Sequence, residues 1–191
     1  MNQDDWYLPP SEGPKTREAA KRALAIDGSD AGAHLSMAIV SQWYDWNWAA
    51  AESEFKRAIE LSPNSSDAHL YYGWFLVQMG RSDQAVVEAK RAQQADPLSA
   101  LTTFSVGAVY LFARQLDPAI EQLHHALEVD PNFWFTHCFL GRAYLQKGKL
   151  PEAIAEFQRA LEMEKDNSED GLHSDPRFTY LRKRVGLPES K

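Results

Sequence analysis

Residues 66–99 read SDAHLYYGWFLVQMGRSDQAVVEAKRAQQADPLS, and the next two stretches, 100–133 and 134–167, align with them without a gap. Gly73, Gly107 and Gly141 stand 34 residues apart, as do Pro63, Pro97 and Pro131. Ala51, Ala85, Ala119 and Ala153 keep the same step, and so do Ala58, Ala92, Ala126 and Ala160. A fixed period of this length means one supersecondary unit copied along the chain, the mark of a solenoid. Stacked repeats make a long binding surface more readily than a closed catalytic pocket, so the period bears on function as well.

Each unit reads as an apolar helix A, a short turn and a more polar helix B. Gly and Pro place the turns near 80–83, 114–117 and 148–151. Helix B is expected to stop at Asp96-Pro97 and Asp130-Pro131, because the residue before proline is pushed out of the α region. In the last unit Lys165 takes the proline slot, which predicts that the array ends there. The unit over 31–65 carries one extra residue, placed in Trp43-Tyr44-Asp45-Trp46-Asn47-Trp48 between its two helices.

Upstream, 15–26 reads as a lone helix B, and the stretch before it is too rich in proline to supply a helix A. Two origins stay open: a longer array, or a start whose extension covers the first helix. The expected order is an N-terminal extension (1–14), a half repeat (15–30), and four repeats (31–65, 66–99, 100–133 and 134–167). A linker and capping helix follow over 168–191, with Ser174-Asp175-Pro176 as N-cap and first turn of a helix near 176–185.

A net charge of −7 argues against a nucleic-acid or anionic-membrane partner, either of which needs a basic field. The one basic stretch, 177–184, reads as cations on a terminal helix. The single cysteine, Cys138, excludes an intramolecular disulfide and fits a reducing compartment. MNQDDWYLPP lacks the charged start and apolar run of a signal peptide, and no run of 18 or more apolar residues exists. The expected location is cytoplasmic.

The slots resemble the tetratricopeptide repeat, whose helix A carries a large residue, Leu, Gly and Tyr, and whose helix B carries Ala, Phe, Ala and Pro. The fourth unit fills them with His137, Leu140, Gly141, Tyr144, Ala153, Phe157 and Ala160. The third has Thr103, Val106, Gly107, Tyr110, Ala119, Leu123, Ala126 and Pro131, and the second has His69, Tyr72, Gly73, Leu76, Ala85, Ala89, Ala92 and Pro97. The resemblance implies an all-α fold: a right-handed superhelical α-solenoid of antiparallel helix pairs, about ten helices with the C-terminal cap. A finer similarity joins 45–52 and the ending Ser174-Asp175-Pro176-Arg177-Phe178 to tetratricopeptide regions of bacterial signalling proteins, which implies a sensing or docking role.

In that family the face of helix A turned away from helix B lines the concave groove. Here it would present Leu35, Ile39 and Trp43, then Leu70, Tyr71 and Trp74, next Phe104, Leu111 and Phe112, and last Phe135, Cys138, Phe139, Arg142 and Leu145. Monomers rarely leave so large an apolar surface bare. Either curvature buries these aromatics against one another or a partner covers them, and the second reading is preferred. Groove types that clamp a chaperone's C-terminal carboxylate use Lys, Asn and Arg, whereas Leu70 with Trp74 and Phe104 with Ala108 replace the Lys and Asn. An apolar or amphipathic segment is therefore the expected ligand rather than a chaperone tail.

His34, His69 and His137 share one slot, but neighbouring repeats put slots about 10 Å apart, too far for a shared metal. They are read as packing residues, and no metal or cofactor is expected. His124 and His125 are read as solvated surface. Glu152, Glu156, Glu162 and Glu164, with Lys90 and Arg91, are assigned to a solvated outer face. The tryptophan cluster at 43–48 is read as a widened, aromatic-packed turn before a sugar or cation site. No phosphate loop, HExxH pair or GxSxG elbow occurs, and Cys138 and His137 point about 100° apart on a helix. The expected function is a non-enzymatic scaffold that docks a partner protein segment in its groove. Self-association through the same groove is the alternative, as is a regulatory part of a larger bacterial signalling protein.

Overall fold

The structure, a computed structural model, describes residues 12–167. Among them lie nine α-helices and no strand: α1 (Glu12–Ile26), α2 (Ala31–Trp43), α3 (Trp48–Leu61), α4 (Ser66–Gln78), α5 (Ser82–Ala95), α6 (Ala100–Phe112), α7 (Leu116–Val129), α8 (Trp134–Gln146) and α9 (Leu150–Asn167). The expected capping helix at 176–185 lies outside the described residues. Helix α1 starts at Glu12, earlier than the proline-rich reading of 1–14 implied, and Pro14 sits in its first turn, where a missing N–H costs nothing. Gly13 leaves the room into which the Tyr44 ring packs.

The chain divides into two compact units, Met1–Val129 and Asp130–Lys191. In the first, α2 with α3, α4 with α5, and α6 with α7 form tightly packed antiparallel pairs, and α1 packs on α2. Successive pairs meet through α3 with α4 and α5 with α6. The A helices also touch directly, α2 on α4 and α4 on α6, whereas the B helices α3, α5 and α7 do not. An inner A layer and an outer B layer follow. In the second unit α8 and α9 form one further pair.

Small residues set the approach of A to B. A Cβ on Gly107 would lie 2.7 Å from Leu123 Cγ, and one on Gly141 2.7 Å from Phe157 Cε1. At Gly73 the opposing atom is the Ala85 carbonyl oxygen, 3.5 Å away. Ala51, Ala58, Ala85, Ala92, Ala119 and Ala126 are fully buried at the facing positions. The cores between pairs are then filled by Phe55, Phe75, Leu76 and Leu123. Phe55 contacts the rings of Tyr72 and Phe75 at centroid distances of 5.7 and 5.5 Å, joining the first two repeats.

Every A-to-B turn passes through one left-handed residue. These are Trp46, Gly80, Arg114 and Gly148, with φ of 53°, 71°, 59° and 74°. In the three regular turns the next amide donates back across the corner, Arg81 N–H to Leu76 O, Gln115 N–H to Tyr110 O and Lys149 N–H to Tyr144 O. That closure is the Schellman arrangement, which needs a left-handed residue where glycine is the usual choice. In the first repeat the extra residue widens the corner, and Asn47 N–H reaches Ser41 O instead. An ion pair between Arg17 and Asp45 ties this wider corner to α1.

Candidate functional site

Helix A is apolar on both faces because one face packs on helix B while the other joins the A layer. In the first unit the structure sorts the proposed groove residues by depth. Leu35 and Ile39 on α2, and Tyr71 and Trp74 on α4, are half-buried. Leu70, Phe104 and Leu111 are buried, at 5%, 0% and 1% exposure, where sequence reasoning expected an open surface. The reason is direct packing within the A layer: α6 touches α4, and all of α6 from Thr102 to Leu111 is buried. What stays open is aromatic and lies toward the turn end of the A helices. Trp43 is 49% and Phe112 39% exposed, and these two occupy the same slot in the first and third repeats. Trp74 meets Phe112 edge to face at 5.8 Å.

In the second unit, α8 carries its own aromatic column. Phe139 is buried, Phe135 and Cys138 are half-buried, and Arg142 and Leu145 are exposed. Phe135 packs on Phe139 at 5.3 Å, and the Arg142 guanidinium carbon lies 4.9 Å from the centre of the Phe139 ring, within cation–π range. Trp134, absent from the expected set, stacks edge-on against Phe135 at 5.2 Å and belongs to this column. Its place as the first residue of the repeat hides it from a search based on the helix A period.

The tryptophan corner is less packed than expected. Trp46 is 68% exposed and meets Trp48 edge to face at 5.6 Å.

The histidine slot holds a feature that sequence reasoning missed. His34, His69 and His137 each place Nδ1 2.6 Å from a carboxylate oxygen on the partner helix B, of Glu54, Glu88 and Glu156. Glu156 is therefore buried and paired, not part of a solvated outer face. Arg91 and Arg159 hold the second oxygens of Glu88 and Glu156, each at 2.8 Å. The signal was available: histidine recurs with glutamate 19 or 20 residues on, and where the third repeat has Thr103 it has Gln122. His69 is held above the ordinary imidazole pKa, chiefly by its hydrogen bond to Glu88 and against the desolvation that burial imposes.

A second polar joint links the first two repeats. Glu52 on α3 accepts from Lys56, from Arg81 at the next turn and from the Tyr72 hydroxyl, at 2.7, 2.8 and 3.1 Å. The Lys56 and Arg81 bonds lower its carboxyl to about 2, and burial with the Glu52 charge pushes the Tyr72 phenol up to about 12.

Among the described residues no group of three or more His, Cys, Asp and Glu side chains could hold a metal ion. None of the helices described is long and apolar enough to cross a membrane. The surface offers apolar contact with aromatic anchors, the residue types that dominate binding energy at protein interfaces.

Two tetratricopeptide repeat family models match the sequence, one over residues 47–102 and one over 134–167. No curated protein matches the chain in sequence. Among solved structures it is similar to Pseudomonas aeruginosa PilF, with TM-score 0.74 and 21% identity over 94% of this chain and 78% of that one. It is also similar to MamA, with TM-score 0.68 and 23% identity over 87% of this chain and 97% of that one. YrrB, described as a protein of tetratricopeptide repeats with an unusual peptide-binding site, matches with TM-score 0.66 and 20% identity over 91% and 84% of the two chains.

Proposed function

Because the chain belongs to the tetratricopeptide repeat family, we propose that it is a non-enzymatic scaffold whose helix A face docks an apolar or amphipathic segment of a partner protein. The observation that carries this reading is the open aromatic edge of the first unit. Trp43 and Phe112 stay exposed in a family slot that faces the groove, and half-buried Trp74 leans on Phe112. Leu35, Ile39 and Tyr71 extend that surface, with Leu70, Phe104 and Leu111 as its buried floor. In the second unit Phe135, Cys138, Arg142 and Leu145, over Phe139, form the corresponding face. The peptide-binding site named for YrrB supports a peptide ligand, without bearing on its polarity. The acidic balance of the chain favours a neutral or basic segment over nucleic acid or an anionic membrane.

Binding of a panel of fluorescent amphipathic and extended apolar peptides tests the proposal. Trp74→Ala or Phe112→Ala should weaken the best binder by about 10- to 30-fold, as loss of an aromatic anchor does, with helicity unchanged by circular dichroism. Parallel loss of helicity and binding would make these residues core rather than contact. Cys138 gives a second readout: a thiol reagent should label it in the folded protein, and bound peptide should protect it.

Self-association through the same face is the second reading, because an exposed Trp43 and Phe112 are as available to another copy as to a peptide. Sedimentation across a concentration range separates the two. A strictly monomeric species at high concentration removes self-association and leaves the docking reading in place.

A further inference from the structure

We propose that His69 is a pH-operated latch that ties the joint between the first two repeats below neutral pH and lets go of it as the solution becomes alkaline. The inference does not rest on what the groove binds. His69 is 4% exposed on α4, and both of its ring nitrogens face oxygen acceptors. Nδ1 lies 2.6 Å from Glu88 Oε2 on α5, and Nε2 lies 2.8 Å from the carbonyl oxygen of Pro63 in the loop between α3 and α4. A carbonyl oxygen can only accept, and so can an ionised carboxylate. The arrangement is complete only when both nitrogens carry protons, or when the single proton between ring and carboxylate is kept by the pair. In that state one side chain holds helix A, helix B and the incoming inter-repeat loop together.

Removing the proton leaves one donor for two acceptors. The charged partner holds the stronger hydrogen bond, so the remaining N–H stays with Glu88 and the lone pair on Nε2 turns on the Pro63 oxygen. The loop contact is then repulsive, and the joint at Pro63 loosens. Arg91 Nη1 holds the other Glu88 oxygen at 2.8 Å, which favours keeping the carboxylate in place.

The charged groups acting on the ring are Glu88 and Arg91, both from α5: the first favours the cation and the second opposes it. Helix α3 brings Ile59 to this region, and its Glu52 is engaged by Lys56, Arg81 and Tyr72. From α6 the neighbouring group is the hydroxyl of Thr102 beside Ser66. Solvent reaches the latch through an open cleft of about 620 Å³ lined by Ile59, Pro63, Asn64, Arg91 and Gln94. The proton can therefore leave without unfolding the protein.

The chain contains its own control. In the third repeat the same two positions are Thr103 and Gln122, neither of which titrates. Thr103 Oγ1 donates to the Ser99 carbonyl at 3.0 Å, and Gln122 accepts from Gln93 at 3.0 Å. Transplanting that pair gives the variant His69→Thr with Glu88→Gln.

The sign of the linkage is set by the raised pKa of His69 relative to 6.5. The latch contributes its full stability below pH 6.5 and loses it as pH rises through the folded-state value. Denaturant titrations of the intact chain between pH 6 and 9 should show the native folding constant falling by up to tenfold per pH unit more than that of the transplanted variant, the limit for one proton. Equal pH slopes would overturn the latch. Nitrogen-15 spectra of the imidazoles in the unmodified protein decide the matter if the variant does not fold. Expected is a His69 ring that keeps both protons to a higher pH than a free imidazole, with a lower protection factor at Asn64 and Ser65 once it titrates. A pair that gives up its proton at or below pH 6.5, leaving a neutral ring beside an ionised Glu88, would overturn the proposal.

Discussion

Gly80 and Gly107 are both glycines for different reasons, and substitution separates the two. At Gly80 a Cβ would meet nothing within 4 Å, but φ is +71°. Gly80→Ala should therefore cost only the left-handed backbone penalty, about 1–2 kcal/mol, read from the midpoint of denaturant unfolding. Gly107 is helical, and its Cβ would lie 2.7 Å from Leu123 Cγ and 3.1 Å from the Leu123 backbone nitrogen. There Gly107→Ala should destabilise by about 1–3 kcal/mol through overpacking, and combined with Leu123→Ala it should cost less than the sum of the two separate changes. The first of these glycines was legible in the sequence as a turn signal and the second as a close-approach slot. The His–Glu pairs were not seen, because the partners lie on different helices and Glu156 follows the polar pattern of an exposed helix B face. The recurrence of histidine with a glutamate 19 or 20 residues on, and their joint absence at Thr103 and Gln122, mark the positions as a pair.

Helices here are delimited by local chemistry. Asp30, Ser65 and Ser99 precede α2, α4 and α6, and each side chain accepts from the backbone amide three residues on, at 3.0, 3.2 and 3.1 Å. Ser99→Ala should cost about 1 kcal/mol. The same positions before α5 and α8 are Arg81 and Phe133, which make no side-chain cap. Those starts were legible from the repeat alignment rather than from capping residues. Joints between helices add a pH dependence opposite in sign to that of His69. The depressed Glu52 carboxyl, at about 2, contributes stability above its ordinary value of 4.5 that is lost as pH falls toward 2. Glu52→Gln should flatten the acid limb of the stability profile while leaving the limb above pH 6 unchanged.

Within the first unit each pair touches only its neighbours, so disturbance should decay along the stack. Phe55→Ala empties a fully buried site between the first two repeats. Native-state hydrogen exchange should quicken in α2 to α5 and change least in α7; a uniform rise across the unit would show all-or-none opening instead. The 34-residue period made the stacked pairs legible at this scale, and the period of helix A indicated which face turns away from helix B. Depth on that face was not legible. Whether Phe104 is sealed and Phe112 open depends on how closely α6 settles on α4, a property of summed packing between repeats rather than of spacing within one.

Six tryptophans would ordinarily blur one another in emission, but among the described residues the corner at residue 46 sets one apart. Its indole is held outward by a backbone conformation that bulky side chains seldom adopt, with 68% of the residue in water. Iodide should quench this ring first, then Trp43, 49% exposed on the helix A face, and the half-buried Trp74 last. A ligand seated on the helix A face would dim or shift Trp43 and Trp74 and leave the outer lamp steady.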